Sequence, residues 1–178
     1  DRCGLNLGEA AATVIFGKAP DRVDVPHLLC GFMANDANHI SGPSREALGQ
    51  TEAIRKVLQY VDKKNLGFVC AHGTARRYND DMESVALHRS GLSCCPVYSL
   101  KSYFGHTLGA AGVLETVLAF KALKQQQIPG TLNFRTKGTP YQMNVSAENQ
   151  PIKGNTFLKL MSGFGGSNAA LLGILNDE

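Results

Sequence analysis

The sequence predicts an α/β fold built on a mixed sheet of about five strands. Three observations lead there. Short β-rich runs alternate with helical periodicity between His27 and Lys124. A glycine-tight turn, Gly163–Asn168, joins two further apolar runs as an antiparallel pair. The length of 178 residues, 43% of them apolar, suits one well-cored domain and is too short for two.

The elements follow in order. Residues 1–12 form a glycine-punctuated loop, and Thr13–Phe16 is β-rich up to Gly17, which predicts a strand. A charged turn, Lys18–Asp24, carries Pro20. His27–Ala34 is nearly continuous in apolar residues and predicts a second strand covered on both faces. The polar loop from Asn35 to Ser44 holds Asp36 and His39. Ser44 is placed to cap a helix to about Asp62, with Ala47, Ile54, Val57, Leu58 and Val61 on one face and Glu52 paired with Lys56 on the other.

Leu66–Ala71 predicts a buried strand that delivers His72-Gly73-Thr74 at its C-terminal end. Asn79 is placed to cap a helix ending near Gly91. Asp80, Asp81 and Glu83 sit near its start, where the helix dipole favours negative charge. The run Pro96–Ser99 reads as a strand leading into Lys101–Gly112 and a helix from about Thr107 to Lys124. Leu108, Leu114, Val117, Leu118 and Phe120 point around the whole circumference of that helix. A helix apolar all round has to be buried all round, so a covering layer beyond this chain is expected. Residues 128–156, with Pro129, Pro140 and Pro151, read as mostly irregular, and Phe157–Met161 and Ala169–Leu175 as the closing strands.

The net charge of +3 and the lack of a basic block give no support for nucleic-acid binding. No apolar run reaches the ~18 residues of a membrane span. The chain opens on Asp1 without an initiator Met or a leader, and reads as a cut or processed piece. Five cysteines, an odd number with Cys94 and Cys95 adjacent, fit a reduced, cytoplasmic setting better than a disulfide framework. His27 and Cys30 stand three apart without a second pair, so no metal site is expected.

His72 and His106 each follow a strand and adjoin glycine. If strands 66–71 and 96–99 are parallel neighbours, both histidines and Lys101 share the sheet edge on which open α/β sheets bind ligands. Gly163–Gly166 links two strands instead of opening a helix, which argues against a nucleotide loop.

Six motifs in order extend this picture: Asp1-Arg2-x-Gly4…Gly8-Glu9; Asp36-Ala37-Asn38-His39; Ala71-His72-Gly73-Thr74; Asn79-Asp80…Glu83; Lys101-Ser102…Gly105-His106…Gly109-Ala110-Ala111-Gly112; and Gly163-Phe164-Gly165-Gly166-Ser167-Asn168. Together they resemble the C-terminal half of a β-ketoacyl-acyl-carrier-protein synthase, an elongating enzyme of the Cys-His-His type in the thiolase superfamily. The resemblance covers essentially the whole chain, 1–178, as one domain. It implies the C-terminal half of a thiolase-like fold with helices on both sheet faces, and an absent N-terminal half that carries the nucleophilic cysteine.

The implied reaction is the decarboxylative condensation of a malonyl-carrier thioester with an acyl thioester, in fatty acid or polyketide-like synthesis. This chain alone would be inactive. His72 and His106 match the two catalytic histidines and Lys101 the family lysine, with Asp80 and Glu83 as the acidic groups of its network. Phe164, between Gly163 and Gly165, matches the gate of the acyl pocket, and Asp36 and His39 the outer gate. Thr74 matches a pantetheine contact. Arg76 and Arg77 stand where another threonine is usual and are read as carrier contacts. Implied partners are an acyl carrier protein, the N-terminal half and a second subunit in a homodimer or heterodimer. No cofactor or metal is implied, since substrates ride on the carrier's phosphopantetheine arm. The alternatives are half of a non-catalytic, chain-length-factor-like partner subunit and a free-standing small binding domain.

Overall fold

The computed structural model describes residues 4–18 and 25–175. The first motif's Asp1 and Arg2, the cysteine Cys3 and most of the charged turn at 18–24 lie outside the described residues. Six strands form one mixed sheet: β1 (Pro26–Asn35), β2 (Leu66–Cys70), β3 (Pro96–Tyr98), β5 (Asn144–Val145), β7 (Thr156–Gly163) and β8 (Ser167–Leu175). Their order is β1-β8-β7-β2-β3-β5 among the described residues, with β4 (Gln127–Ile128) and β6 (Gln150–Pro151) paired separately. The pairs β2–β3, β2–β7 and β3–β5 are parallel, and β7–β8 and β1–β8 antiparallel.

Helices α1 (Leu48–Val57) and α2 (Arg77–Arg89) pack on one face of the sheet, where Ile54, Val57, Met82 and Leu87 meet Val69, Leu158 and Leu160. Helix α4 (Ala111–Lys124) packs on the other, where Ala119 and Leu123 meet Phe68, Tyr98 and Phe157. Helices therefore cover both faces, as expected of an α/β layer structure.

Several local expectations are corrected. Thr13–Phe16 forms no strand; it runs as exposed, irregular chain, because β-rich composition without a neighbouring strand leaves the backbone unpaired. Strand β1 is an edge strand with alternating exposure, not one covered on both faces, and Leu29 and Met33 face outward. Helix α1 does not start at Ser44. Ala47, left-handed at φ 54°, precedes it, and Asp36 from the distant loop accepts the Gly49 N–H at 2.7 Å. A cap borrowed from across the loop leaves no local sequence signal. Helix α2 begins at Arg77, so Asn79 lies inside it and donates its amide to Thr74 Oγ1 instead.

The expected helix from Thr107 divides into three pieces. A single turn, α3 (Lys101–Phe104), ends at Gly105; a 3₁₀ turn covers Leu108–Ala110; and α4 starts only at Ala111. Gly105 adopts φ +73°, and a Cβ there would lie 2.8 Å from the Leu7 carbonyl, so this turn requires glycine. Within this chain helix α4 is covered on one side only, as expected: Ala119 and Leu123 are fully buried while Val113 and Val117 remain about 40% exposed.

Phe157 ties the sheet to α4, stacked on Phe68 at 5.4 Å and edge-on to Phe120 at 4.8 Å. Phe157→Ala is expected to cost about 3–5 kcal/mol, read by urea denaturation at constant slope.

Candidate functional site

The parallel pairing of β2 and β3 brings their C-terminal ends to one sheet edge. Two residues past β2 stands His72, and past β3 the chain turns through Lys101 and Gly105 to His106. The two imidazoles meet edge to face with ring centroids 5.3 Å apart.

His72 is buried, and its backbone is held on every side. The Glu83 carboxylate accepts the N–H of His72 at 2.7 Å and of Gly73 at 2.6 Å. Lys101 Nζ donates to the His72 carbonyl at 2.6 Å, and Ser99 Oγ to the Gly73 carbonyl at 2.8 Å. Its Nδ1 is buried without a hydrogen-bond partner. Burial pushes the imidazole well below its usual range, and Lys101, Lys159 and His106 push it further.

His106 is held by the N-terminal segment. Its N–H donates to the Asn6 carbonyl at 2.7 Å, and its carbonyl accepts the Gly8 N–H at 3.1 Å. Leu108, in the left-handed region at φ 52°, turns its N–H onto His106 Nδ1 at 3.0 Å. A backbone N–H can only donate, so Nδ1 carries no proton and the neutral ring keeps its hydrogen on Nε2. Burial, then Lys101, lower the pKa of this ring too.

Lys101 is almost fully buried. Its direct ion-pair partner is Glu115, at 2.7 Å, while Glu83 attracts it through charge and holds the same His72 backbone. Glu83 is occupied by the two backbone N–H groups above; burial raises its pKa, and the charge of Asp80 adds to the rise. Glu115 also pairs, through its second oxygen, with the fully buried Lys159 at 2.5 Å. Sequence reasoning finds neither Glu115 nor Lys159, since each is a lone charge in an apolar run.

Both rings line a cavity of ≈ 1570 Å³, together with Thr74, Arg76, Met161 and Phe164. Phe164 is 75% exposed at the cavity wall, on the turn between β7 and β8. Its neighbour Gly163 closes β7, and Gly165 takes φ +81°. The Asp36–His39 loop is laced to that turn. Asn35 Nδ2 donates to the Gly165 carbonyl at 2.8 Å, the Asp36 N–H to the Gly166 carbonyl at 2.8 Å, and the Gly165 N–H to the Ile40 carbonyl at 2.7 Å. Asp36 lines the cavity. His39 does not; it is exposed and holds Ser41 through Nδ1. Thr74 lines the cavity with its hydroxyl oxygen accepting from Asn79 and from the Arg76 N–H. Arg76 reaches the cavity, whereas Arg77 points to Asp81 at 3.7 Å and does not line it.

No cysteine lines the cavity among the described residues. Cys70 is buried within β2, where its thiol is pushed up by burial, and burial raises Cys95 to about 12. The site thus offers two neutral hydrogen-bond donors and a buried cation, which can stabilise an oxyanion, and no cysteine nucleophile among the described residues.

Residues 28–135 match the family described as "Beta-ketoacyl synthase, C-terminal domain". Over 182 residues the chain is 33% identical to the "Putative polyketide beta-ketoacyl synthase 1" of Streptomyces cyaneus, covering 96% of this chain and 43% of that protein. It is 31% identical to the "3-oxoacyl-[acyl-carrier-protein] synthase 2" of Coxiella burnetii, covering 96% and 44%. Among solved structures it resembles a β-ketoacyl synthase from Burkholderia phymatum, with TM-score 0.78, 28% identity, and coverage of 84% of this chain and 37% of that one. It also resembles a ketosynthase in complex with its chain length factor from Xenorhabdus doucetiae, with TM-score 0.77, 29% identity, and coverage of 84% and 39%. The chain spans less than half the length of the curated relatives it matches.

Glu83 yields a pH prediction. Burial raises its folded pKa to about 6 from 4.5 in spite of the two N–H bonds. The protonated form is favoured in the fold, so its contribution is fully present below 4.5 and is lost as pH rises through 6. The loss is about 2 kcal/mol. Urea denaturation between pH 4.5 and 6.5 is expected to show this fall, and Glu83→Gln to remove it.

Proposed function

The chain belongs to the β-ketoacyl synthase family, whose C-terminal domain it carries, and from that membership we propose that it forms half of a condensing active site. The observation that carries this reading is the edge-to-face pair of His72 and His106 on the wall of one cavity, 5.3 Å apart. Two neutral donors that close together suit a single developing oxyanion. The nucleophilic cysteine is supplied by the protein's N-terminal half, and this chain by itself does not condense. The apolar face left by Val113, Val117, Ile15 and Phe16 is the surface that half covers.

A malonyl thioester on a carrier's phosphopantetheine arm enters past Thr74 and Arg76. Its carboxylate leaves as CO2, and the electron pair of the broken C–C bond passes into an enolate. His72 and His106 hold the enolate oxygen. The enolate carbon attacks the acyl thioester on the cysteine, the thiolate leaves, and a 3-ketoacyl carrier results. Phe164, at the exposed turn, gates the acyl cavity, and the Asp36–His39 loop moves with it because the two are hydrogen-bonded together. No cofactor takes part. The protein works in the cytoplasm.

Retention of both histidines and the lysine supports this reading over a non-catalytic, chain-length-factor-like partner subunit. In the longer protein that carries this domain, His106→Ala is expected to lower the rate of 3-ketoacyl formation about 10²–10³-fold, with the carrier still bound. Wild-type protein that binds an acyl carrier yet releases no CO2 from the malonyl thioester would refute the condensing role.

A further inference from the structure

Strand β7 is apolar at Phe157, Leu158 and Leu160, yet Lys159 sits among them with no exposed surface. It lies at the sheet centre, opposite Cys70 on β2 and Leu171 on β8. Its Nζ donates to the Ala71 carbonyl at 3.3 Å and to the Leu160 carbonyl at 2.8 Å, and forms an ion pair with Glu115 Oε2 at 2.5 Å. Lys101 takes the other oxygen of the same carboxylate and the carbonyl of His72, the next residue after Ala71. Two ammonium groups therefore share one carboxylate directly beneath the histidine. An ammonium in an apolar strand is costly, and a single Lys–Glu pair would already have neutralised Glu115.

We propose that Lys159 is a positioning residue of the condensing site: through Glu115 it leaves one uncompensated positive charge beneath His72, which keeps that imidazole a neutral hydrogen-bond donor. The inference rests on the condensing reading. The charged and titratable groups around His72 are Cys70 on β2, Asp80 and Glu83 on α2, Lys101 on α3, His106 in the following turn, Glu115 on α4, and Lys159 on β7. With Lys101 and Lys159 protonated and Glu115 ionised the trio carries +1 (two plus, one minus). Burial depresses the His72 pKa most, and both lysines depress it further. Glu83 ionises only near pH 6, so below that pH it does not cancel the excess charge.

The test is Lys159→Met, whose apolar chain fits the strand, read by the titration of ¹³C-labelled His72 imidazole and by the pH profile of condensation in the longer protein. Removal of the charge takes the trio to zero. The His72 titration and the acid limb of the profile are expected to move to higher pH by about one unit. The double variant Lys159→Met/Glu115→Gln restores +1 and is expected to return both toward wild type, whereas a purely structural role would make the double variant worse. A folded Lys159→Met protein with the wild-type His72 titration overturns the proposal. Should that variant not fold, the wild-type titration decides: His72 must protonate well below 6.5, and protonation at or above 6.5 overturns it. Absence of condensation in the wild-type protein would defeat the parent reading, while the His72 titration would still judge this one.

Discussion

The structure depends on one buried carboxylate. Glu115 reaches from α4 into the space behind the sheet edge and holds Lys101 and Lys159 at once. Those lysines in turn hold the carbonyls of His72 and Ala71, so α3, α4, β2 and β7 converge on a single anion. Removal of Glu115 would leave both ammonium groups buried without compensation, at a cost of about 3–5 kcal/mol. Glu83 closes the arrangement from α2 by accepting the two backbone N–H groups at the same turn. The His72 backbone therefore has little freedom to move, and a donor fixed before the reaction needs no reorganisation during it.

The second histidine is fixed by different means. Its main chain lies in a short bridge to residues 6–8, and its ring is locked by the Leu108 N–H. Segment 6–8 can approach because Gly8 and Gly105 carry no side chain; a Cβ on Gly8 would fall within 1.8 Å of the Phe104 carbonyl oxygen. One donor is thus set by buried charge and the other by backbone contact. They remain independent until they meet across the cavity.

Much of this was legible in the sequence because the relevant signals are local. The parallel β2–β3 pair, the closing β7–β8 hairpin and the placement of two histidines and a lysine on one edge follow from apolar runs, glycine turns and chain order. What escaped is non-local. Asp36 caps α1 from thirteen residues upstream, and a two-residue strand, β5, completes the sheet from within a polar stretch. The partner of Lys101 lies on α4 at Glu115, while Glu83 accepts two backbone N–H groups. Lys159 was hidden in a strand pattern, since alternation cannot reveal a charge whose partner lies on another element. Thr13–Phe16 failed for the opposite reason: its composition suits a strand, but no neighbour among the described residues pairs with it.

The central claim is that His72 and His106 present neutral N–H groups to a single oxygen. The most direct measurement is a crystal structure of the longer protein bound to a malonyl-carrier analogue whose thioester is replaced by an amide. The account predicts the amide carbonyl oxygen within about 3 Å of Nε2 of both histidines, with His106 Nδ1 still receiving the Leu108 N–H. A carbonyl held by other groups, or a His106 ring turned so that Nδ1 faces the ligand, would contradict it.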